Sequence, residues 1–168
     1  VTDWEGIYRS TFPDLVRYLH RKVWDEDRAR DLAQEAFVKV LPENPERPLA
    51  FLFTVAANLA RDEARTVIRR KKHLTLLKTE TEHMAPVAGP PDGALEESAR
   101  QEALRLALDA LSEGDREVLL LWDAGLKYEE IAKATGLSPT SVGTTLNRAR
   151  KRLVAAHEGK EVSDGTRG

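Results

Sequence analysis

The chain reads as an all-α protein: two small helical domains joined by a flexible linker, the second domain carrying a helix-turn-helix. Three observations predict this. Apolar residues recur at helical spacing almost throughout, with little of the strict alternation of a half-buried strand. A stretch rich in proline and glycine lies in the middle with no sustained apolar stripe. Near the end, a glycine and a Ser-Pro pair stand at the spacing of a tight turn between two helices.

The elements follow in order. Ile7, Tyr8, Phe12, Leu15, Val16 and Leu19 stripe a first helix, in which Pro13 marks a break or a new start. A second helix runs from about Asp27 to Leu41, with Ala29, Leu32, Ala33, Ala36, Phe37 and Val40 on one face. Pro42, Pro45 and Pro48 end it in a short stiff loop that has no aromatic residue. A third helix, from about Leu49 to Arg70, completes a domain over residues 1–74. Residues 75–97 then read as a linker, whose coil would have an r.m.s. reach on the order of 25 Å. The second domain, residues 98–157, reads as four helices, and residues 158–168 as a polar tail. Leu104, Ala107, Leu108 and Leu111 stripe the first of the four, and Ser112 caps the next, which stops near Gly125.

Composition narrows the functional classes. With 41% hydrophobic and 32% charged residues the chain suits a soluble helical protein. It has no cysteine, which removes disulfides and thiolate metal sites, and no apolar run of the roughly 20 residues a bilayer requires. The opening Val1–Glu5 has no signal-peptide order, so a cytoplasmic location without membrane contact is expected. His20, His73, His83 and His157 are scattered, and neither a metal-ligand cluster nor a glycine-rich phosphate loop occurs. No metal, cofactor or catalytic residue is therefore expected.

The net charge of −2 hides a segregation. Arg61, Arg65, Arg69, Arg70, Lys71 and Lys72 form one basic patch, and Arg148, Arg150, Lys151 and Arg152 a second. The interval Lys78–Glu102 is acidic. Such a pattern suits a protein that meets a polyanion at two places, while either patch alone fits a solvated helix face equally well.

Tyr128–Thr135 and Pro139–Leu153, joined through Gly136, form the predicted helix-turn-helix. Ala132 permits close approach, Gly136 can take the left-handed conformation, Leu137 points inward, and Ser138-Pro139 caps the second helix. On that helix Val142, Leu146, Ala149 and Leu153 face the core, while Thr140, Thr144, Asn147 and Lys151 lie opposite with Arg148 beside them. Thr140, Ser141, Thr144, Thr145, Asn147 and Arg148 are the candidate base-reading residues, and Arg150 and Lys151 the phosphate contacts. An amphipathic helix with a basic end favoured by its dipole is the plainer alternative.

At these residues the sequence resembles the extracytoplasmic-function sigma factors, the small members of the sigma-70 family. Asp31–Lys39 is similar to the family's region 2.2, Phe51–Asn58 with the basic stretch to Lys72 to regions 2.3 and 2.4, and Tyr128–Leu153 to region 4.2. Phe51 stands where tryptophan is usual, and Gly143 where a basic residue is common. The resemblance implies a non-enzymatic initiation factor that binds core RNA polymerase through the β′ clamp helices and the β flap. It implies that Asp31, Gln34, Glu35 and Val38 face the polymerase. It further implies that Asn58, with Arg61, Arg65, Arg69 and Arg70, captures the single-stranded −10 element, while the helix-turn-helix holds double-stranded −35 DNA. An anti-sigma factor is an implied partner. The alternative is a stand-alone helix-turn-helix regulator with an unrelated first domain, although no heptad pattern for dimerisation occurs.

Overall fold

The computed structural model describes residues 1–78 and 93–159. Seven helices account for the described chain: α1 (Trp4–Val23), α2 (Glu26–Val40), α3 (Pro48–Lys78), α4 (Ala94–Asp109), α5 (Glu113–Asp123), α6 (Tyr128–Thr135) and α7 (Pro139–Glu158). None of them is long and apolar enough to cross a membrane.

Helices α1 to α3 form the first domain. Asp3 caps α1 through the Gly6 amide, and Asp25 caps α2 through the Arg28 amide. Pro13 lies inside α1 rather than at a break. Its missing N–H weakens the ladder, but Trp4, Leu15, Tyr18 and Leu19 are all buried from one continuous helix, and that packing outweighs the loss. The stripe read on α2 is buried residue for residue, against Leu52, Phe53 and Ala56 of α3. A bidentate pair fixes their relative rotation: Arg28 Nε and Nη2 donate to the two Glu63 carboxylate oxygens at 2.8 and 2.7 Å. The loop after α2 is tied to the start of the chain. Trp4 Nε1 donates to the Glu43 carbonyl at 2.9 Å, and the Thr2 hydroxyl to the Asn44 side chain at 2.7 Å.

Helices α4 to α7 form the second domain around Leu108, Leu111, Val118, Leu121, Ile131, Val142 and Leu146. Ser112 caps α5 as its sequence implies, accepting from the Asp115 amide. Arg116 turns back over the end of α4, donating to the carbonyls of Leu108 in its last turn and of Leu111 in the turn that follows, at 3.1 and 3.2 Å. The helices reach into both ends of the expected linker. α3 continues to Lys78 rather than ending near Arg70, because Arg69–Lys78 contains good helix formers and no glycine or proline. α4 already begins at Ala94. The centre of the expected linker and nearly all of the expected tail lie outside the described residues.

The two domains touch, α1 against α5 and α3 against α6. Arg17 donates to the Asp123 side chain at 3.1 Å and to its carbonyl at 2.7 Å. The Tyr18 hydroxyl and the Lys22 ammonium both donate to the carboxylate of Glu117. Burial, then the nearby Glu117 charge, raises the Tyr18 phenol well above its ordinary pKa, which keeps the donating proton in place. Arg47 and Glu129 approach to 3.5 Å on the surface.

Candidate nucleic-acid and polymerase interfaces

The helix-turn-helix is built as its punctuation dictates. Gly136 ends α6 at φ 79°, a conformation that a side chain would strain. Ser138 accepts from the Ser141 amide at 3.2 Å, and Pro139 occupies the first turn of α7. Leu137 differs from expectation: it is 37% exposed and lines a cleft between the domains instead of pointing into the core.

Helix α7 sorts its side chains into three rows. Val142, Leu146 and Ala149 are buried against the rest of the domain. Thr140, Thr144, Asn147 and Lys151 are exposed on the far side, as predicted. The third row corrects two assignments. Thr145 is only 9% exposed, so its hydroxyl is not presented to a groove. Arg148 is directed at α5, where its Nε and Nη2 donate to the Asp115 carboxylate at 3.2 and 2.7 Å. Arg152 adds a contact to the same carboxylate at 3.2 Å. The half-exposed guanidinium of Arg148 thus forks onto a carboxylate of its own domain, the geometry the sequence reading gave to guanine. Steps of three and four residues place 145, 148 and 152 in one line flanking the core stripe.

Asp115 is the residue the sequence did not single out. Its side chain is 2% exposed. The hydrogen bond from Arg148, opposed by burial and aided by the charges of Arg148 and Arg152, holds its carboxyl below the ordinary aspartate range. Three residues after a serine cap, it reads as a routine first-turn acid. The usable signal is the Arg148/Arg152 pair at a four-residue step, which calls for a carboxylate on the facing helix.

Arg150 remains at the surface, its guanidinium 4.8 Å from the centroid of the Trp122 ring. At Gly143 an added Cβ would stand 3.4 Å from Cε2 of Tyr128, an ordinary contact, so the packing of α6 on the recognition helix does not itself require glycine there.

In the first domain Asp31, Gln34, Glu35 and Val38 are all exposed along one side of α2. Val38 is 66% and the adjoining Leu41 59% exposed, an apolar spot among carboxylates. On α3 Asn58, Arg61, Arg65 and Arg69 follow one another at steps of three and four and are exposed, with Arg70 beside the row. Arg61 Nη1 donates to Asn58 Oδ1 at 3.2 Å, and Arg65 lies 3.8 Å from Asp62. Asn58 and Arg61 face the interdomain cleft, a space of about 730 Å³ whose opposite wall includes Asp109, Glu113 and Glu117. Among the described residues no group of histidine, aspartate and glutamate could hold a metal ion.

This arrangement defines a class: a helical two-domain DNA-binding protein with one exposed acidic-apolar helix face and one capped recognition helix. Residues 7–70 match the sigma-70 region 2 family, and residues 101–153 the sigma-70, region 4 family. The chain is 30% identical over 155 residues to the RNA polymerase sigma factor YlaC of Bacillus subtilis, covering 89% of this chain and 88% of that protein. It is 31% identical over 152 residues to the ECF RNA polymerase sigma factor EcfG of Rhodopseudomonas palustris, with 87% and 80% coverage. The chain belongs to the sigma-70 family of RNA polymerase sigma factors, in its extracytoplasmic-function group. It is an RNA polymerase sigma factor, an initiation factor that binds core polymerase and promoter DNA. The region 2 match removes the stand-alone regulator, which required an unrelated first domain.

Two solved structures share the fold. The sigma factor RpoE of Bartonella quintana, in complex with the anti-sigma factor NepR, aligns at TM-score 0.58 and 21% identity over 96% of this chain and all of that one. CnrH, in complex with the cytosolic domain of CnrY, aligns at TM-score 0.60 and 23% identity, covering 94% and 89%.

Proposed function

We propose that the two domains divide the promoter between them: α3 holds the unstacked −10 strand and α7 enters the major groove at −35. The observation that carries the reading is the sorting of α7, whose exposed row Thr140, Thr144, Asn147 and Lys151 is free of the core while a neighbouring row anchors the helix. Thr140, Thr144 and Asn147 are the base readers, with Ser141 at the helix start. Arg150 and Lys151 contact phosphates, and Arg148 positions the helix through Asp115. Asn58 pairs with a base edge, and Arg61, Arg65, Arg69 and Arg70 follow the strand.

The exposed face of Asp31, Gln34, Glu35 and Val38 seats on the β′ clamp helices, Val38 supplying the apolar contact. The second domain meets the β flap. Residues 1–78 and 93–159 act as separate DNA-reading units joined by the segment between them, so each modest contact raises the effective concentration of the other. The protein works in the cytoplasm as a non-catalytic subunit. An anti-sigma factor that masks these surfaces is its regulator, a reading supported by the complexes in which the structural neighbours were solved. Run-off transcription with core polymerase on a promoter library tests the whole. Selection of a paired −35/−10 sequence is expected, and no selected pair would overturn the assignment.

A further inference from the structure

The wall of the cleft beyond Asn58 is made by the end of α1, and four observations there point one way. Arg21, Lys22 and Trp24 line the same space as Asn58 and Arg61. Trp24 closes α1 at φ 57° and ψ 25°, the left-handed region that glycine or asparagine normally takes. A bulky residue held there carries a backbone cost, which points to a purpose for the indole at that corner. The indole is half-buried, with one part packed on the core and the rest toward the cleft. Finally, the Tyr18 hydroxyl and Lys22 ammonium already grip an anion together: the two oxygens of Glu117, delivered by the opposite domain.

A cation and a hydroxyl converging on two oxygens, beside a half-buried indole that lines the cleft and a base-edge reader, are the parts of a single-strand site. We propose that the strand track continues from Asn58 and Arg61 across Trp24 to Lys22 and Tyr18, and that Glu117 occupies its phosphate position while the domains are together. Trp24 stacks a base, and Lys22 with Tyr18 takes the adjoining phosphate. Single-stranded DNA and Glu117 then compete for the same donors, so the strand enters as the α1–α5 contact opens. Neutral Trp24 and Asn58 supply binding that salt screens little, whereas the Lys22 and Arg61 contacts weaken with ionic strength.

This inference rests on the region 2 reading of α3, and its test is separable from that reading. The full chain is titrated without polymerase against labelled single-stranded oligothymidine and against a duplex of the same length, by fluorescence anisotropy. Glu117→Gln is expected to bind the single strand about tenfold tighter than the natural chain, with duplex affinity unchanged. Adding Lys22→Ala or Trp24→Ala to Glu117→Gln is expected to lower single-strand affinity at least about fivefold. Adding Trp24→Phe instead keeps most of it, which covers the case in which the alanine variant fails to fold. Equal single-strand binding by the natural chain and Glu117→Gln overturns the proposal. So does undiminished binding when Lys22→Ala is added. A chain that selects no promoter with core polymerase, yet shows the oligothymidine pattern, would sink the promoter assignment and leave this site standing.

Discussion

Asp115→Asn tests whether the buried carboxylate holds the recognition helix. The change preserves shape but removes the charge that Arg148 and Arg152 share, and turns an amide NH2 toward two donors. Breaking one side of a fully buried ion pair costs about 3–5 kcal/mol. Here the arginines are 49% and 35% exposed and can recover water, so about 2–3 kcal/mol is the expected loss after discounting for screening. At about 2–4 °C per kcal/mol for a chain of this size, the melting temperature falls by about 4–12 °C. Urea unfolding followed by circular dichroism gives the free energy directly. Duplex binding should weaken with every promoter sequence alike, because all of the exposed row shifts together. A loss under about 0.5 kcal/mol, the range of an ordinary surface change, would refute the reasoning. A coupling of about 1 kcal/mol or more between Asp115→Asn and Arg148→Met, from a double-mutant cycle, would assign the effect to that pair.

Asn147→Ala is expected to relax base preference at one −35 position at a cost of about 1–3 kcal/mol, read by selection from a randomised promoter. Lys151→Ala should weaken binding evenly across sequences and lower the salt slope by about one. Val38→Asp should abolish co-purification with core polymerase while leaving the melting temperature within about 1–2 °C, since Val38 is exposed. Gly143→Ala exchanges a flexible residue for a helix former whose Cβ meets Tyr128 at an ordinary 3.4 Å, so a gain of up to about 1 kcal/mol is expected by urea unfolding. Acid sensitivity has a defined sign. The carboxyls of Asp115 and Glu63 are both lowered, chiefly by hydrogen bonds from Arg148 and Arg28. Their stabilisation is full above the unfolded values of about 4 and is lost as pH falls through the lower folded values, so stability should be level from neutral pH to about 5 and fall below 4.

The parts legible in the sequence were those fixed by local chemistry. Gly136 and Ser138-Pro139 set the bounds of α6 and the start of α7, because a left-handed glycine, a side-chain cap and a proline each act within a few residues. The burial of α2 followed because its stripe is clean. What escaped depends on which helix faces which. Thr145 lies only about 40° from Ala149 around the helix, inside the broad arc a packed helix buries, yet a four-residue core stripe leaves it outside. Arg148 looks like a groove reader until α5 brings Asp115 to it across 33 positions of sequence. Pro13 invited a break because propensity speaks for a single turn, whereas the buried face of α1, from Trp4 to Leu19, extends over about four.

The placement of the tryptophans has a use apart from binding. The chain has three, and each indole sits at a different station: Trp4 hydrogen-bonded to the loop before α3, Trp24 in the cleft wall, Trp122 beneath the Arg150 guanidinium. Single-tryptophan versions would therefore give three optical reporters native to the fold. Emission from Trp122 would register a duplex drawing Arg150 away, Trp24 the parting of the domains, and Trp4 the state of the loop. With such reporters the order in which this initiation factor engages its two DNA elements becomes a matter of timing three signals in one stopped-flow trace.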